Sequence, residues 1–474
     1  MEIFSSMNKM GLREILSTST FGAEFELCVC MYDMLLKYHS ALALAGTGAN
    51  AIPPHLLEGL PEDLQDECER ALASGEETEG EVEHFKLRDY YFALLNRCGE
   101  GFRPAEDVHD YSEWGIENDG SIHCGFGSFK DEWADDESMA NMLDAMMKNE
   151  TDKSQNTTRI NPDRAYTKAT SQEGAEARQR VEVAKQTTGI IVPVGEHRRY
   201  LDTYAELCET NMFGIEVVSK KYMFPQLKEF QDTVCRCIYN DEVVYQHNTS
   251  QGLHISIGNS LTESLSEEER LTWLGNFVNL WWKFELSILR YVPSYRSSVS
   301  PGTRMSSHYA VPLHSATRTV EDGSVKLFSS SAKLNATTQM GVPGWVAYYA
   351  RDEFGGNIYG DRPKYTAMNI KGLVGDIKDG QLHGVSTDKV FVEFRMLPAT
   401  EDIDTLASWI TLLSCMSTIC LDEGAWRAAM AAGNLKSMFP PELEDIGQES
   451  IEAIARGKGS EVLISYSQYE GEYL

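Results

Sequence analysis

Two glutamates stand two residues apart in the segment Phe21-Gly22-Ala23-Glu24-Phe25-Glu26-Leu27-Cys28-Val29-Cys30. Period-two alternation puts Glu24, Glu26, Cys28 and Cys30 on one face of a predicted strand and Phe25, Leu27 and Val29 on the other. Carboxylates this close repel each other unless water, a basic partner or a cation compensates, so both are expected to look into a cleft or into solvent. A solvated sheet face is the common outcome for such a pair, because charged side chains are mostly exposed anyway. Later strands, however, carry polar partners of their own. Phe213-Gly214-Ile215-Glu216-Val217-Val218-Ser219 holds one acid among apolar residues. Leu253, Ile255 and Ile257 alternate with His254 and Ser256, and Phe391, Glu393 and Arg395 share one face of the stretch 389–397. Asp119 stands in Glu117-Asn118-Asp119-Gly120-Ser121-Ile122, whose Asp-Gly step is turn chemistry and places it at a strand end or hairpin tip. Taken singly, His254 reads as a satisfied strand histidine and Glu393 with Arg395 as a same-face ion pair. Several carboxylates on one surface need cations, and hard Mg2+ or Mn2+ suits oxygen ligands with one imidazole.

The elements that must position these residues alternate strands with amphipathic helices. Helices are expected over 32–45, from Pro61 to about Ala73, over 266–291, over 406–416 and near 425–432. Another opens at Pro225 with Leu227, Phe230, Val234 and Ile238 on one face. Such helices would cover the apolar face of a sheet and leave a trough lined by acids, one His and one Arg. The stripe Trp273, Phe277, Trp281, Trp282, Phe284 and Leu289 reads as core. Tyr365–Ile370 reads as a further strand. Residues 127–205 are rich in acidic and Asn/Thr/Ser tracts and poor in apolar residues, which marks a long, partly disordered insertion. Residues 436–474 form an acidic C-terminal tail, and their Gly457-Lys458-Gly459-Ser460 is no phosphate loop, because the upstream Gly and the preceding strand are missing.

Composition narrows the partners. Hydrophobic residues make up 42 % of the 474, enough for a folded core. A formal net charge of -30 would be repelled by phosphate backbones, which argues against nucleic acid as a main partner. The first twenty residues lack the continuous apolar core of a signal peptide. The run 406–420 contains Ser408, Thr411, Ser414 and Thr418 and fits a buried helix better than a membrane span. Ten irregularly spaced cysteines suggest reduced thiols in a cytoplasmic protein, with a shared metal site as the lesser alternative.

In chain order the motifs are G-x-E-x-E (Gly22 to Glu26), D-G-S (Asp119 to Ser121), E-V-V-S (Glu216 to Ser219), S-x-G-L-H-I (Ser250 to Ile255), Pro293-Ser294-Tyr295-Arg296 after the long helix, and E-F-R (Glu393 to Arg395). This order resembles the amidoligase family, carboxylate–amine ligases that share their fold with glutamine synthetase and glutamate–cysteine ligase. The resemblance runs from Gly22 to Trp409, interrupted by the insertion. It implies an α+β catalytic domain over residues 1–435, built on a curved, mainly antiparallel sheet with helices on its outer face. It also implies ATP-dependent formation of an amide bond through an acyl-phosphate. Glu24, Glu26, Asp119, Glu216, His254 and Glu393 would then hold the Mg2+ or Mn2+ ions that bridge the nucleotide phosphates.

By the same resemblance Arg395 offsets charge on the transferring group and Arg296 binds a phosphate or a substrate carboxylate. Tyr365 and Asn369 match a Y-x-A-x-N pattern and would line the nucleotide or substrate pocket, although an ordinary sheet strand explains them equally well. Ser256 stands where relatives often carry a second His, and Lys220 where a Pro usually follows. Ser256 could still hydrogen-bond a phosphate or a metal-bound water. The implied substrates are a small-molecule or peptide carboxylate and an amine, either of which could belong to a protein. Two rival functions are a non-catalytic relative that binds nucleotide or a protein partner, and a metal-dependent hydrolase of amide or isopeptide bonds.

Overall fold

Residues 10–47, 49–75, 82, 84–97, 99–104, 112–117, 122, 211, 213–239, 243–246, 251–292, 317–319, 325–327, 367–369, 377–378, 381–382, 391–400 and 402–460 are described by the computed structural model. The insertion at 127–205, Asp119, Arg296 and Tyr365 lie outside them.

The chain begins α1 (Leu12–Ser17), β1 (Ser19–Cys30), α2 (Tyr32–Gly46), α3 (Pro54–Leu57), α4 (Glu62–Ser74) and α5 (His84–Arg97). Short strands β2 (Arg103–Pro104) and β3 (Gly115–Glu117) precede β4 (Phe213–Val218), β5 (Tyr222–Met223), α6 (Leu227–Thr233), β6 (Val244–Gln246) and β7 (Gly252–Asn259). Then come α7 (Ser260–Glu263), α8 (Glu267–Leu289), β8 (Thr317–Thr319), β9 (Val325–Leu327), β10 (Met368–Asn369), β11 (Ile377–Lys378), β12 (Gln381–Leu382) and β13 (Phe391–Pro398). Helices α9 (Ile403–Ile419), α10 (Glu423–Ala431) and α11 (Glu444–Ser460) close the described chain. The class is α+β with a mainly antiparallel sheet, as expected.

The chain forms two compact units. One comprises Met1–Phe25, Val218–Asp232 and Gly252–Leu474, the other Glu26–Val217 and Thr233–Gln251. In the first, β10, β13, β7 and the start of β1 lie side by side, every neighbouring pair antiparallel. Alternation buries Val392, Phe394 and Met396 of β13 with Leu253, Ile255 and Ile257 of β7. Helix α8 covers that face, with the rings of Phe277 and Trp281 centred 5.7 and 4.9 Å from that of Phe394. Each such side chain contributes roughly 1.5–3 kcal/mol by leaving water.

Local sequence sets the helix starts. Ser266 and Glu269 form a capping box for α8, and Asp402 accepts the Thr405 amide at 3.0 Å to open α9. Helix α9 is apolar nearly all round and packs on β7 and α11, which makes it the core helix of this unit. No single helix among the described residues is long and apolar enough to cross a membrane. The acidic stretch expected as a tail supplies α11, whose Ile451 and Ile454 are buried.

In the second unit, the later half of β1 pairs antiparallel with β6, Cys28 opposite Gln246. Strands β4, β3 and β2 follow in order, the last two parallel. Helix α2 packs on α4, and Leu35, Tyr38 and Ala41 are buried, as are Leu64, Cys68 and Ala71. The helix opened at Pro225 ends in a π-helical turn, Val234–Ile238, that keeps Val234 and Ile238 inside.

The even, half-open β1 expected from alternation gives way to a strand enclosed on both faces in its second half. There Glu26 is buried, and Cys28 and Cys30 are fully so. Cys28 is disulfide-bonded. That departs from the expectation of reduced thiols throughout.

Candidate metal centre

Strand register alone brings the candidate residues together. Glu24 on β1 stands directly opposite His254 on β7. Two residues along β7, Ser256 shares the His254 face and stands opposite Glu393 on β13, which in turn faces Asn369 on β10. Directly opposed residues of antiparallel strands point to the same side with their Cβ atoms about 4.5–5.5 Å apart, so these side chains form one polar row.

The contacts follow that row. His254 Nδ1 lies 3.0 Å from Glu24 Oε2 and 3.6 Å from Glu393 Oε1. Arg395 donates from Nη1 to Glu393 Oε1 at 2.5 Å, and Asn369 donates from Nδ2 to Glu393 Oε2 at 2.7 Å. The imidazole is buried, while Glu24 keeps 23 % of its side-chain surface exposed. Even so, burial raises the Glu24 carboxyl above its ordinary value, and the positive charge of Arg395 offsets part of that.

Arg395 owes its position to an irregularity in β13. Phe394 pairs with Ile255 but Leu397 pairs with Leu253, so Arg395 and Met396 together span the single residue His254. Such a bulge re-aims a side chain beside a site. Its trace in the burial pattern is that Met396 and Leu397, adjacent and both apolar, are both buried.

One ligand atom each from Glu24, His254 and Glu393 lies within 4.8 Å of the other two. Around an octahedral ion with bonds of about 2.1 Å, neighbouring ligand atoms sit roughly 3 Å apart and opposite ones roughly 4.2 Å. The three atoms therefore need only small movements to meet one cation. Two carboxylates and one imidazole suit Mg2+ or Mn2+, so the donor set fits the expected metal.

Glu24, His254 and Glu393 are thus three of the six expected ligands that the structure brings together, and Arg395 adjoins them. Ser256, half-buried, lies in the same row without belonging to the triad. Glu26 and Glu216 fall in the second unit, and Asp119, Arg296 and Tyr365 fall outside the described residues. Asn369 donates to the Glu393 carboxylate from the neighbouring strand.

A contributor that sequence reasoning passed over is Ser219. Its Oγ accepts the Ala23 amide at 2.8 Å and donates to the Lys220 carbonyl at 2.9 Å, and its own amide donates to the Ala23 carbonyl at 2.8 Å. The residue just before Glu24 is therefore pinned on both backbone groups. A hydroxyl closing an apolar strand was the available sign. Comparison with known proteins finds no family model that matches the chain, and no curated protein or solved structure similar to it.

Proposed function

We propose that the chain is an ATP- and Mg2+-dependent carboxylate–amine ligase whose divalent cation is held by Glu24, His254 and Glu393. The observation that carries the cation site is the meeting of these three ligand atoms across adjoining antiparallel strands. The ligase reading rests on the order of the motifs, and with it come a glutamine-synthetase-like curvature of the sheet, a cytoplasmic location and the further ligands Glu26, Asp119 and Glu216. Mn2+ would serve in place of Mg2+.

When bound, the cation supplies charge neutralisation and Lewis acidity to phosphoryl transfer. The chain's own groups orient and neutralise. Glu24 and Glu393 present oxygens, and His254 is held by the backbone pairing of β7 so that Nδ1 faces both. Arg395 places a guanidinium at the same oxygen of Glu393, where it can offset charge on a phosphate or a carboxylate. Ser256 offers a hydroxyl donor in the same row, and Arg296 and Tyr365 keep the phosphate and pocket roles implied by the motif order.

A second reading has a specific observation in its favour. Arg395 already neutralises Glu393 without any cation, as a non-catalytic relative that retains only an ion-pair network would require. Calorimetric titration with a non-hydrolysable ATP analogue, once with Mg2+ and once with EDTA, tests the cation-dependent nucleotide site, and turnover then separates the two readings. Binding only with Mg2+ supports the ligase and leads to screening carboxylates and amines for ADP release. Absence of binding in both conditions overturns it.

A further inference from the structure

We infer that Asn369 is a positioning residue of this centre: by occupying Glu393 Oε2 it restricts Glu393 to one-oxygen ligation through Oε1, and so favours a small octahedral cation over Ca2+. The inference rests on the proposed cation site and adds a determinant of its selectivity.

A carboxylate can only accept, so the Asn369 atom facing Oε2 at 2.7 Å is its amide nitrogen. The amide is aimed by the sheet itself, since Asn369 is the strand partner of Glu393 and its neighbour Met368 is fully buried. Arg395 holds the other oxygen, Oε1, which is also the one turned toward His254 Nδ1. Between them the two donors fix the plane of the carboxylate and leave Oε1 directed at the triad. Mg2+ accepts single carboxylate oxygens in near-ideal octahedral geometry, whereas Ca2+ takes six to eight oxygens and readily engages both oxygens of one carboxylate. A Glu393 unable to swing Oε2 inward therefore withholds a ligand that Ca2+ would use.

The test is calorimetric titration of Mn2+ and of Ca2+ into the full chain and into Asn369→Ala and Asn369→Val, the second chosen because valine keeps strand propensity. Mn2+ affinity is expected to fall about tenfold, the usual scale for losing an outer-shell hydrogen bond. Ca2+ affinity should fall less or rise, so that the Mn2+/Ca2+ ratio shrinks. A general weakening of the fold would lower both together. An unchanged ratio in a folded variant overturns the inference while leaving the cation site standing. Failure of the unmodified chain to bind Mn2+ overturns the site itself, and the inference with it.

Discussion

Glu24 and His254 face each other across β1 and β7 in direct register, with His254 Nδ1 3.0 Å from Glu24 Oε2 and the imidazole almost fully buried. The pairing sets a partly exposed carboxylate against a buried ring, so access to the row is from the Glu24 side. Burial in this pairing raises the Glu24 carboxyl above its ordinary value, with Arg395 opposing.

That gives a pH dependence with a definite sign. Burial raises the folded-state value of Glu24 above 4.5, so the folded chain holds this proton more tightly than the unfolded one does. Its contribution to stability is complete below about pH 4.5 and is lost as pH rises through the raised folded value. A bound cation takes the proton's place, so stabilisation by Mn2+ should grow across the same window. Melting temperature against pH, in EDTA and in Mn2+, measures both effects. In Glu24→Gln the decline in EDTA should be absent and the Mn2+ effect lost. A Mn2+ effect that is flat with pH would count against Glu24 as a ligand.

What the sequence made legible is what period-two alternation encodes. Leu253, Ile255 and Ile257 against His254 and Ser256, or Val392 and Phe394 against Glu393, follow from strand geometry whatever the neighbours are. Hence Glu24, His254, Glu393 and Arg395 could be placed on polar faces in advance. Pairing partners could not, because register depends on which strands meet, and the Arg395–Met396 bulge shifts it by one residue. Nor could the enclosure of Glu26, Cys28 and Cys30, which depends on what covers the second half of β1 rather than on its own pattern. Asn369 illustrates the same limit: the resemblance implied a pocket role, and only its position opposite Glu393 reveals the hydrogen bond.

Ser219 should matter more than an average strand-end serine. Both it and Ala23 are buried, and its Oγ is the acceptor for the Ala23 amide. Removing the hydroxyl leaves that buried N–H without its acceptor, at about 1–3 kcal/mol. Denaturant unfolding of Ser219→Ala should show a loss in this range, with Mn2+ affinity lowered because Glu24 is the next residue. A loss of only a few tenths of a kcal/mol would mean that the pin is dispensable.

The thiol inventory decides between two expectations for the cysteines. Of the ten in the chain, Cys28 is disulfide-bonded, so no more than eight should titrate in denaturant without reductant. All ten should titrate after reduction. In the native state Cys415 and Cys420 should be slow to react, since burial pushes the first up to about 12 and the second well above its usual value. Ten thiols without reductant would restore the reduced, cytoplasmic expectation, and eight would argue against it.

Gly457 offers the sharpest test of whether the acidic C-terminal stretch belongs to the fold. A β-carbon there would lie 1.8 Å from Thr405 Oγ1 and 3.1 Å from Thr405 Cβ. Thr405 cannot easily yield: it is buried, and its hydroxyl donates to Asp402 Oδ2 at 2.7 Å at the start of α9. In a free or loosely attached helix, Gly→Ala would stabilise by about 0.5–1 kcal/mol through the unfolded chain and helix propensity. Against α9 the same change should instead destabilise by about 1–3 kcal/mol, as overpacking does. The sign of the shift in unfolding midpoint for Gly457→Ala therefore carries the answer. A fall requires α11 to be docked on α9 as described, whereas a rise would make residues 444–460 the solvated tail that their acidity suggested.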